Sequence, residues 1–488
     1  MNLAFFIYNR VQMYSGGQYH AFALGKALAA RGQHVDFYWN VRPIFVSEFP
    51  QVPTRDVLLS ELDFSQQHRY DYVVVAPSGF FVPAYYEAAL RLAGEAGARI
   101  CLLNYESANW FNLLAPTPDD PRVWDYWRRV VVYGGLVVSS TQQADSYARS
   151  FYCSPLTPLA FAVASPPINS EQAARVRGSR PAKDGSVVVF VRREHDYKGG
   201  EDLLKLSPHL LAGRCLHVVC GGQEESALLQ ELQARYAGQQ VTIRAHSRLS
   251  VAEKFSLLAR ARVLLFPSSF EGFGYPPLEA FAVGTEVVCY DLPVLRETLA
   301  DLAFFAAAGR IDQLEACLVR ALHSQRDTSA LVERAEAICG FARVGAHFAA
   351  VLEQHRASVQ ALSASPWCVQ WGPSSPAEAA ALPAPPFPMA YPPFVEQCIP
   401  GPQGLLIVIR LSSSQPIQEV EVEGQGIRYL SLAACEPTCC QADGFQYILK
   451  ILGTGAGSAL MRLLLRDGSV HRECVHLVAQ AEGGDHDA

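Results

Sequence analysis

Apolar and polar residues follow a recurring pattern along the first two thirds of the chain. Short, nearly unbroken apolar runs fall at residues 3–8, 35–39, 72–76, 100–104 and 136–139, with amphipathic segments between them. The runs predict strands, and the segments between them predict helices. A turn at Gly16-Gly17 precedes a helix expected over 18–31, and Gly32 follows where a helix-ending glycine belongs. After a polar stretch at 175–185 the pattern starts again, with strands expected at 187–191, 216–220, 241–244, 263–266 and 287–290 and a helix at 250–259. Strands alternating with helices imply parallel βαβ units, so an α/β class with two doubly wound sheets in tandem is expected. Ligand sites should then lie at the carboxyl ends of the strands.

The pattern changes near residue 360. An amphipathic helix over 341–355 closes the second series, and residues 363–402 are rich in Pro, Ala and Ser. Such a stretch reads as a linker. Beyond it, 404–410, 417–423, 446–452 and 460–465 look like strands with no helix between them, and 418–423 alternates strictly. The organisation expected is an N-terminal Rossmann-like domain at 1–180 and a second at 181–360, then a linker at 361–402 and a small all-β domain at 403–480.

Composition narrows the classes of partner. The 488 residues are 50% hydrophobic and 18% charged, enough apolar material for large cores and against disorder. A net charge of -7 gives no basic signature for nucleic acid or an anionic membrane, although one local face could still support weak peripheral membrane contact. The apolar N-terminal run is too short for a signal peptide and lacks a basic leader, and no apolar stretch approaches the roughly 20 residues of a membrane span. Thirteen cysteines scattered through apolar segments fit reduced, buried thiols in the cytoplasm. Cys435, Cys439 and Cys440 lack a CxxC pair, so no zinc site is expected.

The chemistry concentrates in Glu271-Gly272-Phe273-Gly274-Tyr275-Pro276-Pro277-Leu278-Glu279, which follows the strand 263–266 and a Pro-Ser-Ser turn. The glycines let backbone approach a ligand, and the prolines suit the first positions of a helix. The free N–H groups of that helix end would favour phosphate oxygens, and Glu279 in its first turn could accept from ribose hydroxyls. Two glutamates alone would read as surface carboxylates around a glycine-rich turn. The Glu-Gly-Phe-Gly run, the prolines and the preceding Phe-Pro-Ser together favour a binding site.

This segment resembles the E-x7-E motif of family 4 retaining glycosyltransferases of the GT-B fold. The resemblance extends through 282–297 and back over Arg192-Arg193-Glu194-His195-Asp196-Tyr197-Lys198-Gly199, where the family's Arg and Lys fall on Arg193 and Lys198. It is strong over 187–355, weaker before, and absent after about 360. It implies a metal-independent, retaining transfer from a UDP- or GDP-linked sugar to an acceptor hydroxyl in polysaccharide or glycoconjugate synthesis, with no cofactor beyond the nucleotide sugar. Arg193 and Lys198 would hold the leaving diphosphate, which takes the acceptor proton. Glu271, Gly272, Phe273, Gly274 and Tyr275 would line the donor sugar and phosphates, Glu279 the ribose, and Gly16 and Gly17 the diphosphate.

One departure stands out. Many relatives carry a histidine after the fourth N-terminal strand, whereas this chain reads Leu103-Asn104-Tyr105-Glu106-Ser107-Ala108-Asn109-Trp110. Glu106, Asn109 and Trp110 are candidates for the acceptor side, though Glu106 and Trp110 could equally only organise a loop. His20 reads as a surface or packing residue, and His246 as a candidate for the base pocket. The missing histidine leaves open a non-catalytic scaffold that binds sugar nucleotides. A dinucleotide oxidoreductase is disfavoured, because Ser15-Gly16-Gly17-Gln18 is no GxGxxG. The acceptor could be a glycan, a lipid-linked sugar or a protein, and the C-terminal β region could bind glycan, a partner or a second copy.

Overall fold

The computed structural model describes residues 1–9, 16–64, 69–78, 82–105, 135–152, 160–191, 196–220, 225–247 and 249–363. In the C-terminal region it describes seven strands between 391 and 477.

The first sheet has seven strands: β1 (Asn2–Ile7), β2 (His34–Trp39), β3 (Arg55–Leu58), β4 (Tyr72–Val75), β5 (Arg99–Asn104), β6 (Leu136–Ser139) and β7 (Ala160–Val163). All its pairings are parallel, in the order β3-β2-β1-β4-β5-β6-β7. Runs such as Tyr72-Val73-Val74-Val75 form strands buried on both faces, because helices cover each side of a parallel sheet. Helices α1 (Gly16–Ala29), α2 (Pro83–Ala96) and α3 (Gln142–Tyr152) belong to this half.

The second sheet has six strands, again all parallel: β8 (Val187–Phe190), β9 (Cys215–Val219), β10 (Thr242–His246), β11 (Val263–Phe266), β12 (Glu286–Tyr290) and β13 (Phe304–Ala306). Its order is β10-β9-β8-β11-β12-β13. Around it lie α4 (Ser170–Gly178), α5 (Gly200–Lys205), α6 (Glu225–Arg235), α7 (Val251–Arg260), α8 (Tyr275–Ala282), α9 (Pro293–Leu299), α10 (Ile311–His323) and α11 (Ser329–Cys339). In each sheet the strand order reverses once, between β1 and β4 and between β8 and β11. Crevices for ligands open at those two points.

The boundary between the cores falls earlier than residue 180. Ile168, together with Ala173 and Val176 of α4, packs with Phe255, Leu258 and Phe281 of the second core. The chain then returns: α12 (Phe341–Ser363) sends Val344, Phe348 and Leu352 into the first core. Gly345 makes this possible, since a Cβ there would meet the Ala27 carbonyl oxygen of α1 at 2.7 Å. Tyr72 hydroxyl donates to the Leu352 carbonyl at 2.9 Å and lies 2.8 Å from His355 Nδ1. The second expected domain therefore gives its last helix to the first.

Burial holds His355 at a pKa of about 4 and His20 at about 3, so both are neutral in the fold. The unfolded chain binds their protons below the ordinary value of about 6.5, so each favours unfolding as pH falls. We expect each to remove about 1–2 kcal/mol of stability by about pH 5. Urea midpoints near neutrality and near pH 5 should converge in His355→Gln relative to the parent.

Within Ser329–Ala357 a window of 18 residues reaches a mean hydropathy of 1.3, so by length and composition alone the stretch passes for a membrane span. It is interrupted at Gly340 between α11 and α12. Leu331 and Ala335 enter the second core, while Val344, Phe348 and Leu352 enter the first. The apolar stripe serves two cores at once.

The C-terminal strands form an antiparallel sheet of four and another of three. The first sheet contains β14 (Tyr391–Gly401), β15 (Gly404–Ser413), β17 (Ile427–Cys435) and β18 (Phe445–Gly453). The second contains β16 (Ile417–Glu423), β19 (Gly457–Leu465) and β20 (Val470–Leu477). The stretch expected as linker is shorter at both ends: α12 runs to Ser363 and β14 begins at Tyr391.

Candidate functional site

The loops leaving β8 and β11 meet at the crevice of the second sheet. After β8 the chain reaches a 3-10 turn, Asp196–Lys198, and then Gly199 with φ +74°. A Cβ at Gly199 would lie 2.2 Å from the carbonyl oxygen of Pro267, so only glycine lets this loop rest against the end of β11. The loops are tied further by Ser269 N–H, which donates to the Tyr197 carbonyl at 2.8 Å, and by Ser268 hydroxyl to the same oxygen at 3.1 Å. The outcome is an ion pair, with Lys198 Nζ 2.6 Å from Glu271 Oε1 and side chains 24% and 9% exposed. Arg193, the other expected cation, lies outside the described residues.

Helix α8 starts at Tyr275 behind Gly274, whose φ is +87°. A Cβ on Gly274 would strike Leu295 at 2.6 Å. Pro276 and Pro277 occupy the second and third positions, where a missing N–H leaves no helix bond unmade. Phe273 is buried, with its ring edge-on to Tyr275 at 5.4 Å. Gly272 offers its carbonyl to Ser140 hydroxyl of the first half at 3.2 Å.

Glu279 departs from expectation in position. It is the fifth residue of α8, not in the first turn, and it is 3% exposed. Its Oε1 accepts from Lys254 Nζ of α7 at 2.6 Å, a pair whose side chains are 4% and 12% exposed. The proline pair explains the displacement, because the helix begins before it, at Tyr275.

The N-terminal half faces this arrangement. Gly16 and Gly17 are the first two residues of α1 and not a turn ahead of it. A Cβ on Gly16 would come within 4.0 Å of the Tyr275 ring, and one on Gly17 within 2.8 Å of the Tyr105 ring. Tyr19 packs edge-on to Tyr275 at 6.0 Å and donates its hydroxyl to Glu48 at 3.0 Å. At the end of β6, the N–H groups of Gln142 and Gln143 open α3 and donate to the Glu297 carboxylate of α9 at 2.7 and 3.1 Å. That carboxylate complements the positive end of α3.

Glu106, Asn109 and Trp110 lie outside the described residues. His20 is buried against Tyr105 at 4.9 Å, and its Nε2 has no hydrogen-bond partner among the described residues. His246, at the end of β10, is half-buried with its Nε2 2.8 Å from His217 Nδ1. Burial lowers the pKa of both rings. Among the described residues no three His, Cys, Asp or Glu side chains are grouped to hold a metal ion. A cavity of about 790 Å³ lined by Ile168, Arg177, Glu333 and Arg343 contains none of the residues of this crevice.

Lys254, Glu48, Tyr19 and Ser140 are the members that sequence reading missed. Their partners are far away in the chain, and no local motif marks them. Only the capping box at Ser250 and Glu253, which starts α7, could have placed Lys254 in register.

Residues 172–337 match the family described as Glycosyl transferases group 1. The O-antigen chain mannosyltransferase RfbU of Salmonella typhimurium is 34% identical over 90 residues, covering 18% of this chain and 25% of that protein. The MMP alpha-(1->4)-mannosyltransferase of Mycolicibacterium hassiacum is 35% identical over 122 residues, covering 24% of this chain and 30% of that one. The matched segments thus span between a quarter and a third of these relatives' own length. Among solved structures, sucrose-phosphate synthase from Thermosynechococcus elongatus superposes with a TM-score of 0.55 at 16% identity, covering 73% of this chain and all of that one. Anabaena HepE in complex with UDP and glucose gives a TM-score of 0.54 at 12% identity, covering 72% and 100%. At such identities the likeness establishes the shared two-sheet fold.

Proposed function

Taking as premise that residues 172–337 belong to the group 1 glycosyl transferases of the GT-B fold, we propose that the chain transfers a sugar from a UDP- or GDP-linked donor to an acceptor hydroxyl. The observation that carries this reading is the Lys198–Glu271 pair at the crevice between β8 and β11. An ammonium has three donors, and Glu271 Oε1 takes one. Among the described residues the other two have no hydrogen-bond acceptor, and they would serve diphosphate oxygens, whose charge grows as the glycosidic bond breaks. Arg193 would share that charge through its planar fork, so side chains would do the work without a metal.

Glu271 would accept from the sugar hydroxyls, and the N–H groups at the start of α8 would face phosphate. Glu279 would meet the ribose, and Gly16 and Gly17 would let the diphosphate approach α1. Retention of configuration follows from the family resemblance, with the leaving diphosphate accepting the acceptor proton. The mannosyltransferase relatives make a mannosyl group the first donor sugar to examine, and HepE, with UDP and glucose, adds a glucosyl one. Glu106, Asn109 and Trp110 would contact the acceptor, whether glycan, lipid-linked sugar or protein. A reducing, cytoplasmic location is part of the proposal, supported by the free buried thiols of Cys101, Cys289 and Cys339.

The histidine-free stretch 103–110 supports a second reading, a scaffold that binds sugar nucleotides without turning them over. A thermal-shift panel of UDP, GDP and ADP sugars tests the donor reading, because bound donor raises stability according to its affinity. One nucleotide class should raise the midpoint clearly. No shift with any of them would contradict both readings.

A further inference from the structure

The start of α3, in the first half, is completed by the second half. The first N–H groups of a helix have no partner within it. In α3 the Ala144 N–H donates to Thr141 Oγ1 at 3.0 Å, an ordinary cap. Those of Gln142 and Gln143 donate instead to the two oxygens of Glu297, on α9, at 2.7 and 3.1 Å. Glu297 is itself held in place, because Arg334 of α11 donates to the carbonyls of Glu297 and Thr298 at 2.5 and 2.9 Å. Just ahead of this cap, Ser140 is 1% exposed, and its hydroxyl reaches the carbonyl of Gly272 at 3.2 Å and that of Tyr105 at 3.1 Å. One short segment of the first half thus meets both Glu297 and the loop that carries Gly272.

We propose that Glu297 is a positioning residue for sugar transfer: by holding Gln142 and Gln143 it sets Ser140 against the Gly272 carbonyl, and so aims the Phe273 N–H. This rests on the reading of 271–274 as the donor loop. In a trans peptide, as here, the carbonyl and the N–H that follows it point in opposite directions. A hydroxyl that holds the Gly272 oxygen therefore also orients the Phe273 nitrogen. That N–H donates to no atom among the described residues, which leaves it for a hydroxyl or phosphate oxygen of the donor.

Charge and shape both favour a single register of the halves. The carboxylate meets the positive end of α3, and its two oxygens match two successive N–H groups. Such bonds are lost if the halves shift by about 1 Å, and a misplacement of that size is enough to slow transfer. The donor itself would be gripped by Lys198, Glu271 and Glu279, all of the second half. The loss therefore falls on kcat more than on donor affinity.

The test joins kinetics to a direct view of the Gly272–Phe273 peptide in the full chain. Kinetics follow release of nucleoside diphosphate from UDP-glucose and GDP-mannose with a glycan acceptor extract. Glu297→Gln leaves one acceptor oxygen for two N–H groups. It should lower kcat about tenfold, the scale of one charge-assisted hydrogen bond, with donor KM close to the parent's. Gln142→Pro removes one of the two donors at a helix position that suits proline, so kcat should fall while the thermal midpoint holds. Ser140→Ala removes the link to Gly272, and Glu297→Gln added to it should cost little more. Isotope labels on glycine carbonyl carbons and phenylalanine nitrogens make the Gly272–Phe273 peptide visible by nuclear magnetic resonance. Its signal should move in Glu297→Gln as it does in Ser140→Ala. Parental kcat in Glu297→Gln overturns the proposal, as do Ser140→Ala and Glu297→Gln effects that multiply, or a signal that Glu297→Gln leaves in place. A parent that releases no nucleoside diphosphate, beside a signal moved in Glu297→Gln, overturns the donor reading and leaves Glu297 as the residue that positions this loop.

Discussion

Replacing Lys198 with Ala is expected to lower turnover by about 10²–10³-fold, the scale set by removing one preorganised charge partner from a developing anion. The effect should fall on kcat more than on donor affinity, because the diphosphate gains charge during bond breaking. Lys198 sits on a 3-10 turn at the crevice mouth and is 24% exposed, so its side chain supports no core. Thermal unfolding and far-ultraviolet circular dichroism should therefore match the parent. Near-parental turnover in this variant would remove the proposed mechanism while leaving the fold assignment untouched.

Gly199→Ala should be the most damaging small substitution in the second half. Its φ of +74° puts a left-handed cost of about 1–2 kcal/mol on any other residue. The new Cβ would also sit 2.2 Å from the Pro267 carbonyl oxygen, backbone at the end of β11 that has little room to retreat. Together these should cost about 2–4 kcal/mol of stability, seen as a lower urea midpoint. Relief by moving the loop would carry Lys198 away from Glu271, so turnover should fall at least as far as in Lys198→Ala. Gly213→Ala is the control. Its φ is +73° but no atom lies within 4 Å, so only the backbone cost applies.

Much of this was legible in the sequence because buried parallel strands are written as continuous apolar runs. The segments 72–75, 136–139 and 263–266 were all placed by that signal. Three parallel strands escaped it. Arg55–Leu58 carries two charges on an edge, Ala160–Val163 is four residues long and half-buried, and Phe304–Ala306 has only three residues. The C-terminal strands at 391–401, 427–435 and 470–477 were missed as well, the first because its prolines read as linker. Short edge elements gain their conformation from a neighbouring strand and not from their own pattern.

The site divides along the same line. Lys198, Glu271 and the start of α8 could be read because strand ends and helix starts follow each other closely in the chain. The partner of Glu279 could not, since the Lys254–Glu279 contact exists only once α7 packs beside α8. The contribution of the first half, through Tyr19, Glu48 and Ser140, depends on how the two sheets meet, which no local spacing encodes. Arg193, Glu106, Asn109 and Trp110 lie outside the described residues, so their roles rest on the resemblance and on the proposal built from it.

The central claim is that the crevice between β8 and β11 breaks a nucleotide–sugar bond. Its most direct test is release of nucleoside diphosphate from UDP- and GDP-linked glucose and mannose, with a glycan acceptor extract present and absent. The account predicts acceptor-stimulated release of one nucleoside diphosphate by the parent protein, and its loss in Lys198→Ala. Tight binding of a nucleotide sugar with no release under any acceptor would contradict it, and would leave a binding scaffold in its place.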